Sequence, residues 1–170
     1  IGSFVIDATA PAVSLINPTN NQTGVSISSN ILVTFSEEMD TTTITTNTSN
    51  TTCSGSFALS SNNFSTCVQM SSAPSSSNSD KTFTLDPSAN LSGSTTYKTR
   101  VTTGVQDTAG NALSSQYETS NGFTTVASSP VAIAVGDAHT CALMGNGAVK
   151  CWGHNYRGQL GIDNSTQMGY

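Results

Sequence analysis

Histidine, cysteine and carboxylate side chains have the widest chemical range, and their positions in this sequence restrict what it can do. The histidines are His139 and His154, and none lies in the long Ser/Thr-rich segment before them. No G-x-S-x-G elbow occurs, so the many hydroxyls lack both the turn and the base that would activate a nucleophile. With no nucleophile–base pair and no cofactor motif, the expectation is a protein without turnover and without a cofactor, calcium being the one candidate ion. The four cysteines offer different chemistry. Cys141 and Cys151 stand five residues either side of Asn146, the centre of Gly145-Asn146-Gly147, so a hairpin turning there sets them face to face. Opposed cysteines at a non-hydrogen-bonded antiparallel pair come close enough to bridge. Cys53 and Cys67 enclose a Ser/Asn-rich loop around Ser60 and could close a hairpin likewise, which would add about 3 kcal/mol by the chain-entropy estimate. Even number and local symmetry favour Cys53–Cys67 and Cys141–Cys151 disulfides over four buried thiols. A zinc site would need the short C-x₂₋₄-C spacing that neither pair has.

The elements that must position these groups are short strands. Charged residues make up only 9% of the chain and hydrophobic ones 35%, so solubility rests on hydroxyl and amide groups, as suits secreted β-proteins. Five Lys+Arg among 170 residues and a net charge of −5 cannot build a basic footprint, so no nucleic-acid partner is expected. No apolar run reaches the roughly 18 residues of a membrane span. No charged-then-apolar export segment opens the sequence, so it is expected to start after any export signal. From Ala10 to Val126 the apolar residues alternate in short runs at Ala12–Ile16, Ile31–Phe35, Ser56–Leu59, Cys67–Met70, Thr82–Leu85, Thr96–Thr102 and Gly122–Val126. Ser, Asn, Gly and Pro clusters separate them, which predicts an all-β antiparallel sandwich. A helical turn is expected at Thr41–Thr46, capped by Asp40.

Ordered motifs run through this segment: Ala10-Pro11, Asn17-Pro18, Thr23-Gly24-Val25, Val33-Thr34-Phe35-Ser36-Glu37-Glu38-Met39-Asp40, Leu91–Tyr97, Val105-Gln106-Asp107-Thr108-Ala109-Gly110-Asn111-Ala112-Leu113 and Phe123-Thr124-Thr125. They resemble the bacterial Ig-like domain of S-layer and large surface proteins, which implies an Ig-like β-sandwich over 8–126 and a bacterial cell-surface or extracellular location. Glu38 where that family usually has Pro, and the Cys-bearing stretch Asn47–Pro74, depart from the pattern. Gly2–Pro11 echoes Gly122–Pro130, so residues 1–7 read as the end strand of a preceding module; the alternative is a donor strand that completes another copy.

After a linker at 127–130, residues 131–170 carry Val135–Leu143, Val149–Asn155 and Gly158-Gln159-Leu160-Gly161. This resembles one repeat of the regulator-of-chromosome-condensation propeller family, on the motif positions Gly136, His139, Trp152, Gly153, Asn155, Gly158, Gln159, Leu160 and Gly161. The resemblance implies an incomplete β-propeller of about one blade, with His139 bonding backbone between strands and Trp152 in the blade core. One blade cannot bury its own faces.

In an Ig-like sandwich the end of the second strand, the tip of the last hairpin and the start of the first strand share a pole. The resemblance therefore brings Asp7, Glu37, Asp40, Asp107 and Asn111 together, an oxygen set suited to calcium. The alternative is that Asp107 and Asn111 cap their own turn while Glu37 and Asp40 are solvated, since no D-x-D-x-D-G loop is present. N-x-[ST] tripeptides at Asn21, Asn47, Asn50, Asn63, Asn90 and Asn164 occur as often as so Ser/Thr/Asn-rich a chain produces them, so the matches alone do not establish glycosylation. The expected function is a non-catalytic extracellular structural and adhesion module, an Ig-like spacer presenting a propeller recognition domain. Its partners would be neighbouring domains or copies and a cell-surface protein or glycan. The alternative is a self-assembling subunit of a surface layer or fibre.

Overall fold

Alternating burial organises the N-terminal part of the computed structural model, which describes residues 7–127, 129–145 and 148–161. Residues 1–6 of the end strand expected at 1–7, linker residue Ser128, the centre of the Gly145–Gly147 turn and the sequon at Asn164 lie outside the described residues. The chain divides into two compact units at Val126/Ala127. No described helix is long and apolar enough to cross a membrane.

In the first unit, Val13–Asn17 (β1), Ile31–Phe35 (β2), Ser75–Ser77 (β4) and Thr82–Leu85 (β5) form one antiparallel sheet in the order β1-β2-β5-β4. Phe57–Ser60 (β3), Thr96–Val101 (β6) and Tyr117–Glu118 (β7) form the second, with Phe123–Thr124 (β8) also paired to β6. Ile31, Val33 and Phe35 of β2 are buried, as are Phe83 and Leu85 of β5 and Tyr97, Thr99 and Val101 of β6. Successive strand side chains point to opposite faces, so this period of two turns one face of each sheet inward. Phe35 and Phe83 from the first sheet and Phe57 from the second meet with centroids 6.0–6.2 Å apart. Tyr97 stacks on Phe123 at 5.9 Å and its hydroxyl accepts the Ser92 N–H, satisfying the polar end of a buried ring.

Strand β3 breaks the alternation, because all four of its residues are buried. The cause is the part of the Cys-bearing insertion that follows it, residues 61–68, which folds back over the outer face of the second sheet. Ser60 Oγ donates to the Thr66 carbonyl at 2.7 Å, Val68 N–H bonds to the Leu59 carbonyl, and the Arg100 guanidinium lies over the Phe64 ring. The strand expected at Cys67–Met70 is absent. Cys67 N–H bonds to the Thr51 carbonyl, and Met70 joins only an isolated bridge to Pro87, so disulfide and local bonds fix an irregular path there. Cys53 and Cys67 are bridged with Cα atoms 5.0 Å apart, yet they do not close the expected hairpin, since neither lies in a paired strand. The helical turn at Thr41–Thr46 contracts to a 3₁₀ turn, Thr41–Thr43.

The second unit is one antiparallel sheet of Pro130–Val135 (β9), His139–Met144 (β10) and Val149–Gly153 (β11), in the order β11-β10-β9. Cys141 pairs with Cys151 in register and the two are bridged, with Cα atoms 4.1 Å apart.

Candidate functional site

The acidic pole is built by backbone contacts at the ends of strands. Ser36 N–H bonds to the Ala12 carbonyl, which draws the segment before β1 to the end of β2. Asp40 N–H bonds to the Gln106 carbonyl, and Met39 forms a bridge with Asp107, bringing the Asp107–Asn111 turn alongside. One carboxylate oxygen each from Asp7, Glu37 and Asp107 then lies within 4.8 Å of the others. Asp7 is exposed, Glu37 half-buried and Asp107 buried.

The other two expected ligands are taken into different bonds. Asp40 Oδ1 accepts the Thr42 N–H at 2.9 Å and the Thr42 hydroxyl at 2.7 Å, so it caps the 3₁₀ turn. Asn111 Nδ2 donates to Asp107 Oδ2 at 2.8 Å and to the Asp7 carbonyl at 3.2 Å, turning an N–H group toward the cluster. Asp107 Oδ1 accepts the N–H groups of Ala109 and Asn111, both at 2.8 Å. Turn capping by Asp107 and Asn111 is therefore present, and Asp107 serves it with both oxygens.

Electrostatics separate these groups. Burial pushes the Asp107 carboxyl up, but hydrogen bonds from Asn111, Ala109 and Gly110 outweigh it and hold the group below its ordinary value of 3.8. Asp40 is also lowered, by its bonds with Thr42. Glu37 is raised above 4.5, by burial first and then by repulsion from Asp107 and Asp7, against smaller opposing effects of Ser36 and Lys81. Glu37 is thus the group that an added cation would relieve. The fit to calcium is partial, because an ion that takes 6–8 oxygens would meet three carboxylates and one amide N–H.

The repeat-motif residues of the second unit form a scaffold. Gly136 N–H bonds to the His139 carbonyl, and a Cβ at Gly136 would run into the His139 imidazole. Gly153 has φ +111°, and a Cβ there would meet the Ala138 carbonyl, so glycine is required on both counts. His154 N–H bonds to that same carbonyl, and its ring contacts Tyr156 edge-on at 5.2 Å. Asn155, 1% exposed, accepts the Leu160 N–H on Oδ1 at 2.9 Å and the Gly158 N–H on its carbonyl. Gln159 Oε1 accepts the Arg157 N–H, and Gly158 and Gly161 hold positive φ, which closes the turn. Trp152 is half-buried beside an open apolar hollow of about 350 Å³ lined with Pro130, Ala142, Met144 and Lys150.

Sequence reasoning missed the Arg100 cluster. Arg100 Nη2 lies 3.0 Å from Glu118 Oε2, with Lys98 4.0 Å from the same carboxylate, while the guanidinium covers Phe64. Arg100 lies on β6 and Phe64 on a distant loop of no recognisable period, so no local signal linked them.

The family model of the bacterial Ig-like domain matches residues 7–125. The model of the regulator of chromosome condensation repeat matches residues 131–159. Among solved structures, the chain is similar to domains 1–6 of surface layer protein SbsC, at 20% identity and TM-score 0.49, over 84% of this chain and 19% of that one. It is also similar to the N-terminal part of the bacterial S-layer protein SbsC, at 20% identity and TM-score 0.49, over 84% of this chain and 33% of that one. The chain thus spans between about a fifth and a third of the length of these solved chains. No curated protein matches it.

Proposed function

The chain belongs to the bacterial Ig-like domain family, and from that premise we propose that it is a non-catalytic structural and adhesion module, an Ig-like spacer presenting a propeller recognition domain. The observation that carries this reading is a contrast between the two units. The first closes its own core, from Ile16 to Phe123. The second is a three-stranded sheet with apolar side chains on both faces. Ile133 and Val135 are 63% and 77% exposed and share a face with Trp152; Leu143 and Val149, 42% and 64% exposed, share the other. Such a sheet requires a cover on each side, which neighbouring repeats supply in a propeller. A cell-surface protein or glycan is the partner class this reading assigns to the assembled propeller.

Two disulfides and the family place the chain at the bacterial cell surface or outside the cell. Bridged cysteines leave no thiol nucleophile among the described residues, and both histidines belong to the repeat scaffold. These features support a role without turnover. For the acidic pole we propose a weak calcium site at Asp7, Glu37 and Asp107, supported by their convergence and by the raised Glu37 carboxyl.

A second reading, self-assembly into a surface layer or fibre, is favoured by β9. All six of its residues are exposed on an edge strand, and such an edge accepts a strand from another copy. Sedimentation and limited proteolysis of residues 8–126 and of the full chain test both readings. The spacer alone is expected as a protease-resistant monomer, and the full chain as an associating or tail-sensitive species. A protease-resistant full-length monomer at micromolar concentration would remove the requirement for neighbouring repeats or copies.

A further inference from the structure

Five N-x-[ST] tripeptides fall among the described residues, and the fold treats them differently. Asn47 is 3% exposed and its Nδ2 donates to the carbonyls of Asn50 and Val68 at 2.8 and 3.2 Å, so its amide nitrogen is consumed by the fold. Asn21 has φ 65° and accepts from Asn121 Nδ2 at 2.9 Å, which ties that tripeptide to the turn before Gly122. In Asn63-Phe64-Ser65 the middle ring lies 3.6 Å beneath the Arg100 guanidinium. In Asn90-Leu91-Ser92 the middle leucine is 2% exposed. A modifying enzyme must take the whole tripeptide into its cleft, so a clamped or buried middle residue withholds the acceptor until the segment opens.

Asn50-Thr51-Thr52 is free of these restraints. All three residues are exposed, and Asn50 Oδ1 accepts the Thr52 N–H at 2.8 Å in an Asx turn. Among the described residues no bond engages Asn50 Nδ2. The turn is held from beneath, since the Asn50 carbonyl accepts Asn47 Nδ2 and the Thr51 carbonyl accepts the Cys67 N–H beside the disulfide. The fold therefore presents this tripeptide in an exposed turn just before the Cys53–Cys67 disulfide.

We propose that Asn50 is an N-glycan acceptor. Asn50 Nδ2 forms a bond to the anomeric carbon of a lipid-linked diphosphate sugar. The carbon–oxygen bond to the diphosphate breaks, the lipid diphosphate leaves with the electron pair, and Nδ2 gives up one proton. A glycan there is bulky and solubilising, and it would stand on the inserted loop.

The test uses the purified, folded, disulfide-bonded full chain, an oligosaccharyltransferase that accepts the short N-x-[ST] sequon, and a polyprenyl-diphosphate sugar, with occupancy read by peptide mass spectrometry. Asn50 is expected at roughly ten times the occupancy of Asn63 or Asn90, which need local opening first, with none at Asn47. Thr52→Ala keeps the backbone N–H of the turn but destroys the sequon, and should abolish the adduct at unchanged melting temperature, as should Asn50→Gln. The reduced, unfolded chain should lose the preference. A folded chain without sugar at Asn50, or with equal occupancy at Asn63 or Asn90, overturns the assignment.

Discussion

The guanidinium of Arg100 lies 3.6 Å from the centre of the Phe64 ring, joining a residue of β6 to the tip of the disulfide-bridged loop. Glu118 holds the same guanidinium from β7 at 3.0 Å, so the cation is oriented before it meets the ring. This contact holds the turn after β3 against the sheet and helps bury both faces of that strand.

Phe64→Ala and Arg100→Ala should each destabilise the first unit, and their double-mutant cycle should give a coupling of about 0.5–2 kcal/mol. Additive losses in urea denaturation would show that the ring and the guanidinium are merely neighbours.

The Cys53→Ser/Cys67→Ser pair frees a 14-residue separation and should cost about 3 kcal/mol, with the thermal transition lowered accordingly. Non-reducing peptide maps should return Cys53–Cys67 and Cys141–Cys151 only. Crossed linkages would contradict the β10–β11 register.

Stability should depend on pH with two opposing trends. Asp107 and Asp40 titrate below 3.8 in the folded state, so their contribution is present above 3.8 and lost as pH falls through the folded values. Glu37 titrates above 4.5, so its contribution is present below 4.5 and lost as pH rises through its folded value. Glu37→Gln should flatten the loss on the neutral side and leave the acid limb intact. A variant that follows the wild-type curve at both limbs would show that the repulsion from Asp107 and Asp7 is screened.

Calcium should raise the melting temperature of the wild type at low ionic strength and leave Glu37→Gln less responsive. A ligand at a hundredfold excess over Kd adds about 2.7 kcal/mol, and a weak site will give a fraction of that. Identical melts with calcium and with chelator would leave Asp107 to its turn-capping role alone.

The sequence carried the sheets wherever one face of a strand is buried. Ile31–Phe35 and Thr82–Leu85 are strands over the expected residues, because alternation is a local consequence of burying a single face. The Cys141–Cys151 pair was equally legible, since a hairpin register is set by counting from its turn. Ser75–Ser77 was not, because a fully exposed edge strand of three serines has no apolar period to find. Tyr117–Glu118 is too short to show one. The pole was legible only as a set of candidates. Its members come from three separate segments, and what each oxygen does depends on which N–H group reaches it first. Thr42 takes Asp40, while Ala109 and Asn111 take Asp107, leaving Glu37 half-buried beside two like charges. Likewise a tripeptide pattern repeated through a Ser/Thr/Asn-rich chain says nothing of exposure, and only packing distinguishes Asn50 from Asn47, three residues away. Local periodicity determined the strands; competition for hydrogen bonds between distant segments decided the site.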